Sequence, residues 1–316
     1  MRLAKAILLR LLYGILSLIF ISLVTFVADE LAPGDAVTAL ASEKADQATK
    51  DRIRRNYGLD RPVHERFIRF LGGAVRFDFG TSYHGTKEPV TDIIKRTLPM
   101  TLKVAAMAML LAAAIGVVLG TIAAIRENRF ADRAALTLST LGVTLPNFVL
   151  APVLVFIFYV QLDVLPATWS VNRVADDIYY LILPVVILAL RPMALLTRLT
   201  RASMIETLNQ EFIRTAIAKG VPPFRLFTRH ALRNAILPVI TALGTSFGFL
   251  LTGSFVVERA FTLPGLGSTT IEAIQQGNTP VVQACVLLTG FLFILINLVV
   301  DLLLPLLDPR IRESQV

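Results

Sequence analysis

The sequence predicts an all-α membrane protein with about six transmembrane helices. Hydrophobic residues make up 55% of the 316 residues and charged residues only 17%, whereas soluble domains carry about 25% charged residues. Mean hydropathy is +0.67. The apolar residues are gathered into runs that approach or exceed the roughly 20 residues that a helix needs to cross a bilayer. This distribution excludes a disordered chain and an ordinary soluble enzyme.

Six nearly uncharged runs predict the transmembrane spans. They occupy residues 11–28, 104–125, 134–162, 178–197, 234–257 and 273–300. The fourth run alone contains a charged residue, Arg191. An arginine at the centre of a span costs about 2.5–3.5 kcal/mol on insertion scales. Because Arg191 lies off the centre of its run, we expect its side chain to extend toward the nearer membrane surface.

These runs predict the order of segments along the chain. Residues 1–28 form the first transmembrane helix, which we expect to be retained because its uncharged run exceeds the roughly 7–15 residues of a signal peptide. Residues 29–99 form a small extracytoplasmic domain, and residues 307–316 form a cytoplasmic tail. The transmembrane core is 100–306, with a cytoplasmic loop at 198–233 and spans at about 104–125, 134–162, 178–197, 234–257 and 278–303.

The distribution of basic residues predicts an N-in/C-in topology. With Arg191 included, the four segments that this topology places inside hold sixteen Lys and Arg, while the short outside segments hold only Arg173 and Arg259. Short cytoplasmic loops are enriched in Lys and Arg. The net charge of +8 is therefore a signal of membrane orientation, and we expect no nucleic-acid partner.

The external segment 29–99 is long enough to fold. Asp46 can begin a helix that ends near Tyr57 before Gly58, and Phe67, Phe70 and Leu71 recur at helical spacing. We expect these three apolar residues to pack against the membrane-embedded part. The segment is either a structural cap on the helix bundle or a docking surface for something delivered from outside, and the pattern leaves both open.

The cytoplasmic loop 198–233 is the most informative segment. Residues 203–217 contain neither Pro nor Gly and carry apolar residues at helical spacing. Gly220 is placed to end this helix, with Lys219 in the last turn and Pro222 and Pro223 beyond it. A short helix held at a fixed place is suited to binding a cytoplasmic partner. It could equally lie on anionic lipid, helped by Arg225, Arg229 and Arg233.

Two neighbouring motifs give this loop a family resemblance. Residues 212–220, FIRTAIAKG, are followed by HALRNAILP at 230–238. Together they resemble the coupling loop of ABC importer permeases of the dipeptide, oligopeptide and nickel subclass. Further segments resemble the B-type subunit of that subclass along the whole chain, at 31–35, 57–62, 78–82, 263–267, 280–283 and 308–312.

The resemblance implies a surface that couples this chain to an ATPase. The residues it assigns to that surface are Glu206, Glu211, Phe212, Arg214, Thr215, Ala216, Ala218, Lys219 and Gly220. Two positions depart from the pattern. Arg214 stands where the broader importer family has a glutamate, and residues 277–280 differ from the stretch common in peptide permeases. No substrate-binding residue is implied.

The resemblance also implies the partners and the location. The chain would pair with a homologous second permease, two ABC ATPases and an extracytoplasmic binding protein, in a bacterial or archaeal plasma membrane. The lipid bilayer itself is the remaining partner. The implied cargo is a short peptide, with nickel complexes and other small solutes as alternatives.

The sequence indicates no enzyme activity in this chain. It has no phosphate-binding loop, so we expect no cofactor here, and the partner ATPases would bind ATP and magnesium. His64, His84 and His230 lack metal-ligand spacing, and no catalytic residue is predicted. A transporter driven by an ion gradient is the alternative class, although such proteins hold ionisable groups near the bilayer midplane. A membrane-anchored docking protein is a third possibility.

A few polar residues interrupt the apolar runs. Asn147, Gln161 and Thr252 would be costly against lipid. We therefore expect the chain to be incomplete alone and to line half of a pathway with its partner permease.

Overall fold

The computed structural model describes residues 2–31, 37, 46–84, 87–170 and 177–307. Within these ranges the chain is helical and has no β-strand, only an isolated bridge between Thr81 and Pro89. This confirms the predicted all-α fold class. The motif residues 32–35 and 308–312 lie outside the described ranges.

The helices are α1 (Arg2–Leu31), α2 (Gln47–Tyr57), α3 (Val63–Val75), α4 (Val90–Ile125), α5 (Phe130–Thr144), α6 (Asn147–Val155), α7 (Asp177–Leu208), α8 (Glu211–Ala218), α9 (Leu232–Ala260), α10 (Leu266–Gln275) and α11 (Thr279–Leu307).

The chain divides into two compact units. The first contains Met1–Thr101 and Leu263–Ile294, and the second contains Leu102–Thr262 and Leu295–Val316. The boundaries fall within α4 and α11, so each of these two helices contributes to both units. Two π-helical turns extend the α-helices of the second unit, at Phe156–Gln161 after α6 and at Leu226–Ala231 before α9.

Five helical stretches in the described ranges are long and apolar enough to cross a membrane. A sixth span exists only if α5 and α6 are counted together, and these two helices are bent by 103° at their junction. The total agrees with the predicted number of about six. The five stretches are Leu8–Leu31, Val90–Ile125, Ile178–Leu208, Pro223–Ala260 and Thr279–Val300.

The predicted run 134–162 is not one straight helix, because Pro146 interrupts it. The residue before a proline is disfavoured in the helical conformation, and Leu145 has an extended backbone with φ −82° and ψ 120°. Pro146 then precedes the first residue of α6. The N-in/C-in orientation and the extracytoplasmic position of residues 29–99 stay predictions.

Helix α7 is the packing centre of the second unit, and glycines bring its neighbours very close. A Cβ atom on Gly120 of α4 would lie 2.6 Å from the carbonyl oxygen of Thr197 and 2.6 Å from the Cβ atom of Thr200. Gly116, one turn earlier, and Gly142 of α5 also face the α7 backbone, at 3.0 and 3.2 Å. Small residues four apart are typical of helix pairs whose backbones touch within membranes.

A buried ion pair joins α5 to α7. The carboxylate of Asp132, a residue only 2% exposed, accepts two hydrogen bonds from the guanidinium of Arg201, and the Nη2–Oδ2 distance is 2.8 Å. The backbone N–H of Asn128 donates to the same carboxylate, also at 2.8 Å. Removing one partner of a buried pair costs about 3–5 kcal/mol, because the other charge is left uncompensated. This pair therefore fixes the register of α5 against α7.

In the first unit, α1 and α11 pack antiparallel. The hydroxyl of Thr279, at the start of α11, donates to the carboxylate of Asp29 near the end of α1 at 2.8 Å. Farther along both helices, a Cβ atom on Gly14 would lie 2.9 Å from the side chain of Ile294. The hydrogen bond lies at one end of the helix pair and the close contact near its middle, and together they show that the two helices run antiparallel.

The first predicted helix of segment 29–99 is confirmed. α2 follows Asp46, whose backbone carbonyl accepts from the N–H of Lys50 at 3.1 Å, and it ends at Tyr57. Gly58 has a φ of 64°, the left-handed conformation that glycine adopts without steric cost. The sequence marked both ends of this helix because both are set by local chemistry.

Helix α3 packs against the end of α1. The ring of Phe67 contacts Phe26 edge to face, with 5.4 Å between ring centroids. Arg66 lies over the same Phe26 ring and donates to the carboxylate of Glu30 at 2.8 Å. These contacts place the Phe67 side chain against a candidate membrane helix, while the packing of Phe70 and Leu71 stays a prediction.

Asn278 ties the loop before α11 to the segment after α3. Its amide oxygen accepts from the N–H of Tyr83 at 3.0 Å, and its amide nitrogen donates to the hydroxyl of Ser82 at 2.8 Å. Cys285 is fully buried. It belongs to an apolar cluster with Val90, Ile93, Ile94, Leu266, Ala273, Val281 and Ala284.

Gly120→Ala is expected to weaken the packing of α4 on α7. The added methyl group would lie 2.6 Å from a backbone carbonyl of α7, so the two helices would have to separate. Overpacking of this kind costs about 1–3 kcal/mol. We expect a lower thermal unfolding temperature for the detergent-solubilised chain.

Gly72→Ala in α3 is the matched control. No atom lies within 4 Å of a Cβ atom at this position, and alanine favours a helix by about 1 kcal/mol over glycine. The unfolding temperature should stay the same or rise. A Gly120→Ala chain that unfolds at the wild-type temperature would show that the close approach does not constrain the fold.

Candidate functional site

The helix predicted over 203–217 is two helices in the structure, separated at Asn209 and Gln210. The side chain of Asn209 donates to the carbonyl of Ile205 at 3.0 Å, a local bond that competes with continued helix. Gln210 has an extended backbone with φ −76° and ψ 151°. The prediction of one helix was wrong because neither Pro nor Gly marks this break.

Gly220 ends α8 as predicted. Its φ is 72°, and its N–H donates to the carbonyl of Ile217 at 2.9 Å. The next N–H, of Val221, donates to the carbonyl of Ala216 at 3.2 Å. This pair of bonds is the Schellman motif. A Cβ atom on Gly220 would meet nothing within 4 Å, so the requirement for glycine here is conformational and not steric.

One side of α8 is anchored in the protein. Ile213 is 1% exposed and Ala216 is 8% exposed. Both belong to a buried cluster formed by the end of α4, the end of α7, α8 and the segment leading into α9. The other members of this cluster are Ala124, Met204, Leu226, Ala231 and Ala235. We call it the loop cluster. The buried side of α8 is therefore packed against the end of α7 and the start of α9.

The other side of α8 is exposed and mixed in character. Phe212 and Ile217 are 43% and 58% exposed. Glu211 and Arg214 form an exposed ion pair at 2.9 Å, which contributes about 0.3–0.5 kcal/mol as an i,i+3 helix pair. Phe224, just beyond the cap, is 77% exposed. Large apolar side chains exposed beside charges are typical of a protein-binding surface.

The structure separates the nine predicted coupling residues into three groups. Glu206 lies on the last turns of α7 and not on α8, and Ala216 is buried in the loop cluster. The other seven lie on the exposed side of α8 or its cap; they are Glu211, Phe212, Arg214, Thr215, Ala218, Lys219 and Gly220. Their role in coupling stays a prediction.

Sequence reasoning missed Ile217 and Phe224 as surface residues. It noted apolar residues at helical spacing over 203–217 without assigning which of them are exposed. The break at Asn209 shifts the helix phase, so Ile213 and Ala216 are buried and Ile217 is not. No signal at Asn209 is strong enough to find this shift in advance.

A cavity of about 520 Å³ lies within the second unit, between α7, α9 and the start of α6. Asn147 and Thr252, predicted to avoid lipid, both line it. Arg191 lines it as well, although the sequence suggested only that its side chain reaches the membrane surface. Two further polar residues in the wall are Arg198 and Ser246.

Metal ligands do not come together in the described part of the chain. No group of three or more His, Cys, Asp or Glu side chains is close enough to hold a metal ion there. Neither the exposed side of α8 nor the cavity wall contains His or Cys.

Two protein-family descriptions match the chain in sequence. Residues 116–313 match the binding-protein-dependent transport system inner membrane component. Residues 3–105 match the N-terminal region of the membrane component of the same transport systems. The two matches together cover nearly all of the sequence, and the first includes α8 and the cavity.

Individual relatives are similar over nearly their full length. The dipeptide transport system permease protein DppB of Bacillus subtilis is 39% identical over 297 residues, which covers 94% of each chain. The glutathione transport system permease protein GsiC of Escherichia coli strain K12 is 38% identical over 303 residues, which covers 96% of this chain and 97% of the relative.

Gly220→Val is expected to loosen the end of α8. A β-branched residue in the left-handed conformation costs about 1–2 kcal/mol. This cost corresponds to a roughly 5–30-fold larger population of molecules in which the end of α8 is locally unfolded. Limited trypsin digestion at Lys219 and Arg225 should accelerate by a similar factor in the folded protein. Gly220→Asn is the matched control, because asparagine tolerates this conformation. Equal cleavage rates for wild type and Gly220→Val would show that the left-handed turn is not needed.

Proposed function

This chain belongs to the family of inner membrane components of binding-protein-dependent transport systems, and we propose that it is the permease subunit of an ATP-driven importer of short peptides. The observation that carries the proposal is α8, a short capped helix with one side buried in the loop cluster and the other exposed. In an importer, this exposed side is the surface on which an ATPase acts.

The loop cluster makes α8 suitable for transmitting force. Its members come from α4, α7, α8 and the stretch that leads into α9, and interiors packed at this density are not freely deformable. When ATP binding draws the two ATPases together, movement of α8 would carry the ends of α7 and α9 with it. Rigid-body movement of these helices would then switch the pathway between its outward and inward openings.

The family and the polar residues of the cavity wall support a proposal for the assembly. This chain would pair with a homologous permease, with one ATPase bound at α8 of each subunit. The cavity wall, with Asn147 and Thr252, would form one half of the pathway. Closure by the second subunit would remove these polar groups from contact with lipid, where they are costly.

The external domain would receive the binding protein. α2 and α3 lie between the first two candidate spans, and α3 is held against α1 by the contacts of Phe67 and Arg66. α2 exposes Arg52 and Arg55. A helix pair anchored to a membrane helix can both dock a soluble protein and respond to it.

Short peptides are the proposed cargo because of the relatives. The two relatives described above are named for dipeptide and for glutathione, which is itself a modified tripeptide. In such systems the binding protein supplies much of the selectivity. The experiment is ATP-dependent uptake of a labelled dipeptide into vesicles that contain both permeases, the ATPases and the loaded binding protein. Uptake driven by an ion gradient, with the ATPases absent, would contradict the proposal.

Ile217→Glu is expected to uncouple the transporter. The side chain is 58% exposed, so the substitution leaves the loop cluster intact and introduces a charge into the proposed contact. Central apolar contacts of interfaces contribute about 1–2 kcal/mol or more. We expect stimulation of ATP hydrolysis by the loaded binding protein to fall about tenfold. Ile217→Leu, which keeps the apolar character, should behave as wild type; loss of stimulation in both variants would point to misfolding of α8 instead.

Cysteine labelling tests the proposed orientation. The sequence has a single cysteine, Cys285, and it is fully buried, so an introduced surface cysteine can be labelled selectively. We expect Arg52→Cys to react with a membrane-impermeant maleimide in intact cells. Lys219→Cys should react only after the membrane is opened. The reverse pattern would overturn the N-in orientation and, with it, the assignment of α8 to the cytoplasmic side.

A further inference from the structure

The cavity in the second unit has a charge that nothing in its wall compensates. Arg191 and Arg198 both line it, while no Asp or Glu does. Neither arginine has a hydrogen bond or an ion pair to any of the described residues. A cation in a membrane protein normally faces a counter-charge, a carbonyl or water. Both side chains are exposed in the single chain, so each is accessible to an anion that comes from outside the chain.

The two arginines are spaced to follow a moving anion. They are seven residues apart on α7, so they lie on the same face of the helix. The rise between them is about 10.5 Å. An anion that leaves Arg191 would therefore travel about 10.5 Å to reach Arg198. This distance is not much longer than a dipeptide.

Ser246 supplies an independent sign of a bound group. It lies in the cavity wall on α9, is only 5% exposed, and its hydroxyl has no partner among the described residues. Leaving a buried hydroxyl unpaired is unfavourable. A ligand oxygen in the cavity would satisfy it. Asn147 and Thr252 add further polar groups to the same wall.

The size of the cavity suits a small solute. A volume of about 520 Å³ is within the roughly 300–1,000 Å³ of small-molecule sites. Arg191 lies six residues, or about 9 Å, before the end of the span predicted over 178–197, and Arg198 begins the predicted cytoplasmic loop. The experiment must therefore distinguish a solute from a lipid headgroup.

We propose that this cavity binds the α-carboxylate of the peptide during its passage. Arg191 is the main hydrogen-bond donor to the carboxylate and Ser246 is a second donor. Arg198 binds the carboxylate after it leaves Arg191. This inference rests on the proposed function. The α-carboxylate is the one anionic group that every unmodified peptide carries. A site that recognises it can pass peptides of many sequences, because it makes no demand on their side chains.

The test compares a dipeptide with its C-terminal amide, such as Ala-Ala and Ala-Ala-amide. Uptake is measured in vesicles that contain the complete transporter, and it is divided by the occupancy of the binding protein, determined separately for each compound. For the wild type we expect the acid to be transported about tenfold faster than the amide. Arg191→Gln should slow the acid to the rate of the amide and leave the amide unchanged. Arg191→Lys should retain part of the preference, because it keeps the charge but loses the planar donor pair.

Two further variants define what the effect means. Arg126→Gln removes a positive charge from an exposed turn outside the cavity, so it should transport both compounds at wild-type rates. Ser246→Ala should reduce the rate for the acid about two- to fivefold, the usual effect of one lost hydrogen bond, and leave the amide unchanged. This pattern would separate recognition in the cavity from a general effect of charge.

The proposal is overturned if Arg191→Gln slows the acid and the amide equally, since that result assigns Arg191 a structural role. It is also overturned if Arg191→Gln prevents assembly with the second permease, which would identify a partner carboxylate as the anion. An acid preference seen in phosphatidylglycerol vesicles but absent in pure phosphatidylcholine would assign the arginines to lipid. If the wild-type complex shows ATP-dependent uptake of neither compound, the proposed function fails first, and the two failures are distinguishable.

Discussion

Close approach of backbones to α7 is the constraint on which the second unit depends. Lipid gives little hydrophobic reason for helices to associate, so contact at short range must hold them together. Gly116 and Gly120 of α4 and Gly142 of α5 permit that contact, because a Cβ atom at any of them would press on the α7 backbone or the side chains beside it. The Asp132–Arg201 ion pair then fixes how far α5 can slide along α7.

This packing places the two candidate sites on one rigid element. The loop cluster lies at the end of α7 through Met204, and Arg191 lies near the middle of the same helix. In the proposed mechanism, a displacement of α8 would reach Arg191 through about three turns of helix beyond the ion pair at Arg201. No flexible loop intervenes in the described chain, which is the arrangement that a transmission element requires.

Features set by local chemistry were predictable from the sequence, and features set by tertiary packing were not. The ends of α2 at Gly58 and of α8 at Gly220 follow from the left-handed conformation that glycine permits. The apolar runs likewise indicated the candidate spans. The break at Asn209 was missed, because asparagine is tolerated in many helices. The chain turns there because Met204 of α7 and Ile213 of α8 are buried in the same cluster. The bend beside Pro146 was open to prediction, since proline restricts the residue before it.

The cavity could not be found from sequence, because its wall joins residues from three segments far apart in the chain. Its composition nonetheless bears on how transport is energised. A carrier driven by protons needs a group that gains and loses a proton as the cycle proceeds, and arginine stays protonated in proteins. The described wall of the cavity has two arginines and no Asp or Glu, which suits it to the proposed peptide carboxylate better than to a proton relay. In the proposed importer the energy for transport would enter at α8, through its exposed surface and its attachment to the loop cluster.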